Sequence, residues 1–102
     1  MEKSIAGKIV DVNVEGYLTD FSQWNKDIAL QLAQEANLTL SERHWEVLNY
    51  LQEQYNKQVP LSIRKVGASG VVDIKEFYSL FPQGPLKTAT KIAGIPKPAS
   101  CI

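Results

Sequence analysis

The only cysteine of this 102-residue chain, Cys101, is its penultimate residue and its strongest nucleophile. A thiolate reacts where a thiol does not, and a thiol with an unperturbed pKa of about 8.5 is ionised to only a few per cent at neutral pH. Nearby charge therefore matters, because the terminal carboxylate of Ile102 disfavours the thiolate and Lys97 favours it. One cysteine cannot form an internal disulfide or the thiolate cluster of a structural zinc site.

A Pro-x-Pro stem precedes this cysteine. Pro96 and Pro98 remove amide donors and hold the backbone extended, so residues 95–102 are predicted to form a semi-rigid arm. Fully stretched, the arm reaches roughly 26 Å. A reactive group on such an arm suits a carrier that enters the active site of another protein. The alternative is that Cys101 is incidental and lies in a frayed terminus.

Basic side chains close to the arm are the next candidates. Lys87 and Lys91 lie one turn apart on a predicted helix, just before the arm. They are either ordinary surface charge or a cationic patch that steadies a thiolate, a persulfide or an acidic partner surface. The single histidine, His44, falls in the first turn of a predicted helix, where a solvated or capping role is expected. From these residues we expect neither a metal site nor a cofactor.

A helix-turn-helix motif is the competing interpretation for the second half of the chain. Residues 67–70 join two predicted helices whose basic side chains could contact phosphates: Arg64, Lys65 and Lys75. Apolar residues fill one face of the second of these helices, however, which favours a core element: Ile74, Phe77, Tyr78 and Phe81. The 11 basic and 11 acidic residues also cancel, whereas non-specific nucleic-acid binders carry a basic excess. We therefore expect no direct binding to nucleic acid.

Length and composition indicate one small globular domain, 1–102, in which 44% of the residues are hydrophobic and 22% are charged. No apolar stretch approaches the ~18 residues that a membrane span needs. The first ten residues lack the apolar centre of a signal peptide and carry three charged side chains. With one cysteine and no export signal, we expect a cytoplasmic protein in a reducing environment.

The elements that must position the candidate residues follow from local patterns. Residues 1–20 are predicted to form a β-hairpin region, because β-branched residues dominate positions 9–14 and Glu15-Gly16 offers a turn. Such a hairpin is marginal alone and must pack on the rest of the chain. Residues 22–94 are predicted to form a helical bundle, and residues 95–102 the arm.

Five helices are predicted within the bundle, each with a start signal. These signals are Ser22, Ser41, Pro60, Asp73 and Pro85, and Gly94 is expected to cap the fifth helix. Apolar residues at spacings of three and four form the stripes that should build the core: Trp24, Ile28, Leu32, Trp45, Leu48, Leu51, Tyr55, Ile74, Phe77, Tyr78, Phe81, Leu86, Ala89, Ile92 and Ala93.

The C-terminal segments carry a specific motif. Tyr78–Pro85 and Lys91–Ile102 fit the pattern LFP-x-GP followed by K-x-AG-x-PKP-x-x-C and one last aliphatic residue. This pattern resembles the DsrC/TusE family of sulfur-relay proteins. Gly16-Tyr17-Leu18, Trp24 and His44-Trp45 also match, so the resemblance covers nearly the whole chain. It implies a mainly α (α+β) fold, a small orthogonal helical bundle with an N-terminal β-hairpin and an extended, mobile C-terminal arm.

The resemblance also implies a chemistry. Cys101 would accept sulfane sulfur as a persulfide and pass it to an acceptor protein, and sulfur exchange between thiolates needs little beyond close approach of the two groups. Four basic residues are the candidates for electrostatic support or partner binding: Lys97, Lys91, Lys87 and Arg64.

One branch of the family carries a second cysteine eleven residues before the last one, where this chain has Thr90. The resemblance is therefore to the single-cysteine, TusE-like branch, which implies a donor complex of the TusBCD or DsrEFH type. The implied acceptor is an enzyme that thiolates the wobble uridine of certain tRNAs. Delivery in sulfur oxidation, to a complex like sulfite reductase or heterodisulfide reductase, is the alternative, and a docking or DNA-binding module remains open.

Overall fold

The computed structural model describes residues 1–97. At the N-terminus, β1 (Glu2–Ile5) and β2 (Lys8–Asp11) pair in an antiparallel hairpin. Its two-residue turn is Ala6-Gly7, both with positive φ (53° and 78°), as a hairpin turn of this length requires. The predicted hairpin is thus confirmed. The turn was predicted at Glu15-Gly16, but the tight turn of the hairpin lies nine residues earlier. Glu15-Gly16 belongs to a second chain reversal, after which Leu18 forms an antiparallel bridge with Val12.

Five α-helices follow a 3₁₀ turn at Phe21–Gln23. They are α1 (Lys26–Glu35), α2 (Glu42–Asn56), α3 (Ile63–Ala68), α4 (Ile74–Leu80) and α5 (Pro85–Ile92). The predicted mainly α fold with an N-terminal hairpin is confirmed. None of the helices in residues 1–97 has the length and apolar character that a bilayer crossing demands.

Two predicted helix starts were wrong, because a better cap lies a few residues further on. Ser22 belongs to the 3₁₀ turn, and α1 begins after Asn25, whose side chain accepts from the Ile28 N–H at 2.9 Å. Pro60 likewise does not start α3. Ser62 caps that helix by accepting from the Lys65 N–H at 3.1 Å.

The other starts are confirmed. Asp73 caps α4, Pro85 is the first residue of α5, and Ser41 precedes α2. His44 is 8% exposed, so the capping role is confirmed and the solvated one is wrong. Its Nδ1 accepts from the Ser41 N–H at 3.1 Å, and its Nε2 donates to the Leu80 carbonyl at 2.8 Å, which ties α2 to the end of α4.

Helix α5 lies at the centre of the bundle and packs against α1, α2 and α4. Its inward side chains are fully buried, as the apolar spacing predicted: Leu86, Ala89, Ile92 and Ala93. In α4 the stripe is only half correct. Phe77 and Phe81 enter the core, whereas Ile74 and Tyr78 are 44% and 45% exposed, because α4 buries mainly the side that faces α3 and α5. Tyr55, the last residue of the predicted α2 stripe, is likewise 38% exposed.

Candidate functional site

The C-terminal end of α5 is the root of the predicted arm. The Ile95 N–H donates to the Thr90 carbonyl and the Gly94 N–H to the Lys91 carbonyl, both at 3.2 Å. These are the two bonds of a Schellman motif, and Gly94 has the left-handed backbone that it requires, with φ at 75°. Ile95 is 1% exposed. The first residue of the predicted arm is therefore part of the core, and exposure begins at Pro96.

Two side chains close the same helix end. Nε1 of Trp24 donates to the Ile92 carbonyl and Nε2 of Gln52 donates to the Ala93 carbonyl, each at 2.8 Å. The last four carbonyls of an α-helix lack partners within the helix, and here all four are bonded. Trp24 also lies so close to Gly94 that a Cβ there would be 2.3 Å from the indole Cδ1. The arm thus starts from a rigidly held position.

Lys97 binds the arm to the N-terminal part of the chain. Its Nζ lies 2.9 Å from Oε2 of Glu15, a residue of the second reversal. The Asn13 side chain shapes this reversal by accepting from the N–H groups of Glu15 and Tyr17, at 2.9 and 3.0 Å. The Gly16 N–H donates to the Asn13 carbonyl at 2.9 Å. The Glu15 carboxylate is therefore presented by an ordered turn.

A groove of about 390 Å³ lies between this turn, α1 and α5. Its walls are mostly polar. They are formed by Glu15, Tyr17, Leu32, Glu35, Ala36, Gln83, Lys87, Thr88, Lys91 and Ile92. Two of the lysines that the sequence singled out therefore line one concave surface, and the third, Lys97, pairs with a carboxylate on its rim. We call this surface the lysine groove.

The two lysines of α5 make no direct ion pair within residues 1–97. Neither Lys87 nor Lys91 has a carboxylate oxygen within 4.0 Å in that part of the chain. Nζ of Lys91 lies over the Tyr17 ring, 5.9 Å from its centroid, which is a cation–π contact. The Tyr17 hydroxyl donates to the Lys87 carbonyl at 3.1 Å. The groove can accordingly hold an anion, such as a thiolate, a persulfide or a carboxylate.

The three lysines all act on Glu15. The hydrogen bond from Lys97 is the largest cause that lowers the pKa of Glu15 below its ordinary value of 4.5. Partial desolvation of the carboxylate raises its pKa, whereas the positive charges of Lys97, Lys87 and Lys91 lower it further. Glu15 is therefore the carboxylate with which all three predicted lysines interact electrostatically. Sequence reasoning did not select it, although the matching Gly16-Tyr17-Leu18 segment is adjacent.

Three other positions lie elsewhere or outside the described residues. Arg64 is exposed on α3 and does not line the lysine groove. Cys101, with the arm beyond Lys97, lies outside residues 1–97, so its predicted role stays a prediction. Thr90, at the position of the second cysteine in the two-cysteine pattern, is fully buried, and its hydroxyl donates to the Leu86 carbonyl at 2.7 Å.

Known proteins match the chain along almost its entire length. The family model for DsrC-like protein matches residues 4–102. The sulfurtransferase TusE of Photorhabdus laumondii is 38% identical in an alignment of 104 positions that covers 94% of this chain and 94% of the relative.

Solved structures share the fold. The NMR structure of DsrC from Allochromatium vinosum has a TM-score of 0.83 at 37% identity, with 100% of both chains covered. The crystal structure of the oxidised γ-subunit of dissimilatory sulfite reductase, DsrC, from Archaeoglobus fulgidus has a TM-score of 0.79 at 32% identity, again with 100% of both chains covered. Family model, relatives and fold agree with the C-terminal motif, and the chain belongs to the DsrC-like protein family.

Proposed function

We propose that this protein is a sulfur carrier that accepts sulfane sulfur on Cys101 as a persulfide and passes it to an acceptor protein. The observation that carries the proposal is family membership with relatives named sulfurtransferase, in a chain whose one cysteine follows the Pro-x-Pro stem. The geometry adds support, because Lys97 lies beside a groove whose two lysines make no direct ion pair in residues 1–97. Cationic surroundings favour the anionic forms of sulfur that react.

Each transfer is an exchange between sulfur atoms without net oxidation. The Cys101 thiolate attacks the outer sulfur of a donor persulfide, so that one S–S bond forms at Cys101 while the donor's S–S bond breaks. The donor cysteine leaves as a thiolate. In the second step, an acceptor thiolate attacks the outer sulfur on Cys101, and the Cys101 thiolate is released. No cofactor takes part, and the carrier returns to its starting state.

The lysines are assigned supporting roles within this proposal. Lys97 lies four residues before Cys101, a span of at most roughly 14 Å, so the stem brings positive charge close to the sulfur atom. Lys87 and Lys91 can contact the persulfide or an acidic patch of a partner from the groove. Arg64, on the separate surface of α3, would serve partner binding rather than the sulfur atom.

For partners, we propose a donor complex of the TusBCD type and an acceptor enzyme of tRNA wobble-uridine thiolation. The name of the TusE relatives supports this assignment. The lone cysteine supports it as well, because Thr90 cannot form an intramolecular disulfide or trisulfide with Cys101. A carrier that must keep its thiol reduced belongs in the cytoplasm.

Delivery to a complex like sulfite reductase is the second candidate, because the DsrC of Archaeoglobus fulgidus is the γ-subunit of such an enzyme. The two destinations separate in one experiment. Protein loaded on Cys101 is offered to a tRNA-thiolating enzyme and to a sulfite reductase, and sulfur loss from Cys101 is followed for each. Helix-turn-helix binding to DNA through Arg64 would instead survive Cys101→Ser and weaken steeply with salt.

Sulfur loading is tested directly by intact-mass spectrometry. After incubation with inorganic polysulfide, the wild type should gain the mass of one or more sulfur atoms, and a reductant should remove them. Cys101→Ser should gain none, and reducible sulfur on that variant would contradict the proposal. Replacing both Lys87 and Lys91 with Gln should slow loading by a factor of about two to five, because cationic surroundings favour the reactive thiolate. Lys65→Gln is the matched control, because Lys65 is exposed on α3 and outside the lysine groove, and this variant should accept sulfur at the wild-type rate.

A further inference from the structure

Helices α3 and α4 together present an apolar patch to solvent. Ile74 and Tyr78 are one turn apart on α4, so they lie on the same side of the helix, and both are exposed. Ile74 also lies directly against α3, because a Cβ added to Gly67 would be 2.3 Å from its Cγ1. The patch therefore extends across both helices. A contiguous apolar patch with a polar rim is typical of a surface that contacts another protein.

Basic side chains form the rim of this patch. Arg64 precedes Gly67 by three positions and therefore lies on the same side of α3. Lys75 precedes Tyr78 by three positions and lies beside it on α4. Both basic side chains are exposed, and neither has a carboxylate oxygen within 4.0 Å among residues 1–97. Their charge is available to a partner.

The other polar groups of the two helices are already engaged. The Asp73 carboxylate accepts from the Glu76 N–H at 2.7 Å, and the Glu76 carboxylate accepts from Nη2 and Nε of Arg43 at 2.7 and 3.0 Å. Lys65 donates to the Pro60 carbonyl at 3.2 Å. The surface thus has an apolar centre and a rim with an excess of positive charge, on a chain whose net charge is zero.

Building on the proposed carrier function, we propose that this surface docks on an acidic surface of the sulfur donor complex. It is formed by Arg64, Ile74, Lys75 and Tyr78, and we call it the α3–α4 face. Charge complementarity selects an acidic partner, because opposite charges steer the encounter and fix the register of the two proteins. The acceptor fits less well, since an enzyme that binds tRNA needs basic groups for the phosphates, and these would repel the rim.

The apolar centre separates a protein partner from nucleic acid. Binding to a duplex depends mainly on contacts with phosphate and sugar, for which two exposed apolar side chains at the middle of the surface offer nothing. Aromatic residues at the centre of a protein interface, in contrast, carry much of its binding energy. Tyr78 is placed for that role, with Arg64 and Lys75 at its rim.

Docking is measured by biolayer interferometry with the full chain as Cys101→Ser, so that no sulfur exchange links the two proteins. The probe is a purified donor complex of the TusBCD type. Arg64→Gln and Lys75→Gln should each weaken binding about five-fold, and Tyr78→Ser about ten-fold. Added salt should weaken binding and reduce the difference between the parent and the two charge variants.

Helix α1 provides matched controls. Lys26 and Leu30 are exposed and one turn apart, but Asp27 next to Lys26 balances its charge. Lys26→Gln and Leu30→Ser should therefore bind the donor complex as tightly as the parent. Far-UV circular dichroism checks that each variant is folded. If Tyr78→Ser unfolds, the two charge variants decide the test, because they change only exposed side chains.

Three results would overturn the proposal. The first is donor binding that is unchanged in the variants of the α3–α4 face, and the second is equal weakening by the α1 controls. The third is a loss of binding to the tRNA-thiolating acceptor or to duplex DNA in those variants while donor binding is intact. Failure of Cys101 to accept sulfur from polysulfide would overturn the carrier function, whereas the binding result would stand.

Discussion

Glu15 illustrates how a single charge can organise a surface. Three lysines surround it, and only Lys97 makes a direct ion pair with it. The remaining two ammonium groups keep their charge for another anion. The charge of the lysine groove is therefore partly, not fully, neutralised.

The lowered pKa of Glu15 gives a prediction at the scale of the residue. A carboxyl whose pKa is lowered in the fold adds stability above its unfolded pKa, and this is lost as the pH falls through the lowered value. Lys97→Gln should raise the pKa of Glu15 towards 4.5, because the hydrogen bond from Lys97 is the largest cause of the shift. Lys87→Gln should raise it less. NMR titration of the side-chain carboxyl carbons measures both changes.

Asp20 serves as the internal control for that titration. Its pKa is also lowered, mainly by hydrogen bonds from the hydroxyl and N–H of Ser22. Neither lysine substitution should move it. Equal shifts of Glu15 in the two variants would show that general charge, rather than the Lys97 contact, sets the pKa.

At the scale of elements, α5 was predicted well because its signals are local. Pro85 starts it, Gly94 ends it, and four apolar residues mark its inward face. The starts of α1 and α3 were missed for a physical reason. Each lies near two competing start signals, and the side-chain caps of Asn25 and Ser62 determine which one begins the helix.

The end of α5 gives a prediction for Gly94→Ala. Alanine there must adopt the left-handed backbone, and its Cβ would also meet the Trp24 indole at 2.3 Å. The free energy of unfolding should therefore fall by about 3 kcal/mol, measured by urea denaturation. Gly7→Ala is the matched control. Its φ is 78° but nothing lies within 4 Å of the added Cβ, so it should cost only about 1 kcal/mol.

Equal losses in the two variants would contradict the close contact between Gly94 and Trp24. A larger loss in Gly94→Ala with unchanged sulfur loading would show that the root of the arm is needed for stability, whereas the chemistry belongs to the arm itself.

At the scale of the whole molecule, long-range polar contacts hold the small elements together. Lys3 of the hairpin pairs with Glu35 of α1 at 2.9 Å. Arg43 of α2 binds Glu76 of α4 through two nitrogens and the Val71 carbonyl through one of them. These contacts fix short helices that would not be stable alone.

Truncation separates the folded body from the arm. A chain that ends after Lys97 should remain folded, because it keeps Ile95 in the core and both Schellman bonds at the end of α5. A chain that ends after Gly94 should lose about 2–3 kcal/mol, since Ile95 no longer fills the core or bonds to Thr90. Neither should accept sulfur. A large loss of stability in the longer truncation would contradict this division.

The sequence could predict the candidate site only in part. Lys87, Lys91 and Lys97 were selected because they lie near Cys101 in the sequence. Glu15 was not, because a contact across 82 positions leaves no local pattern. The tight turn of the hairpin was misplaced for a related reason, since Ala6-Gly7 and Glu15-Gly16 both suit a reversal and strand pairing decides between them.

The saturated end of α5 has a mechanical consequence. Each of its final carbonyls already has a donor, from the backbone, Trp24 or Gln52. Under the proposed carrier function, a partner that pulls on the chain beyond Ile95 therefore finds no loose turn of α5 to unwind. The body could then dock with successive enzymes without losing helix at each encounter.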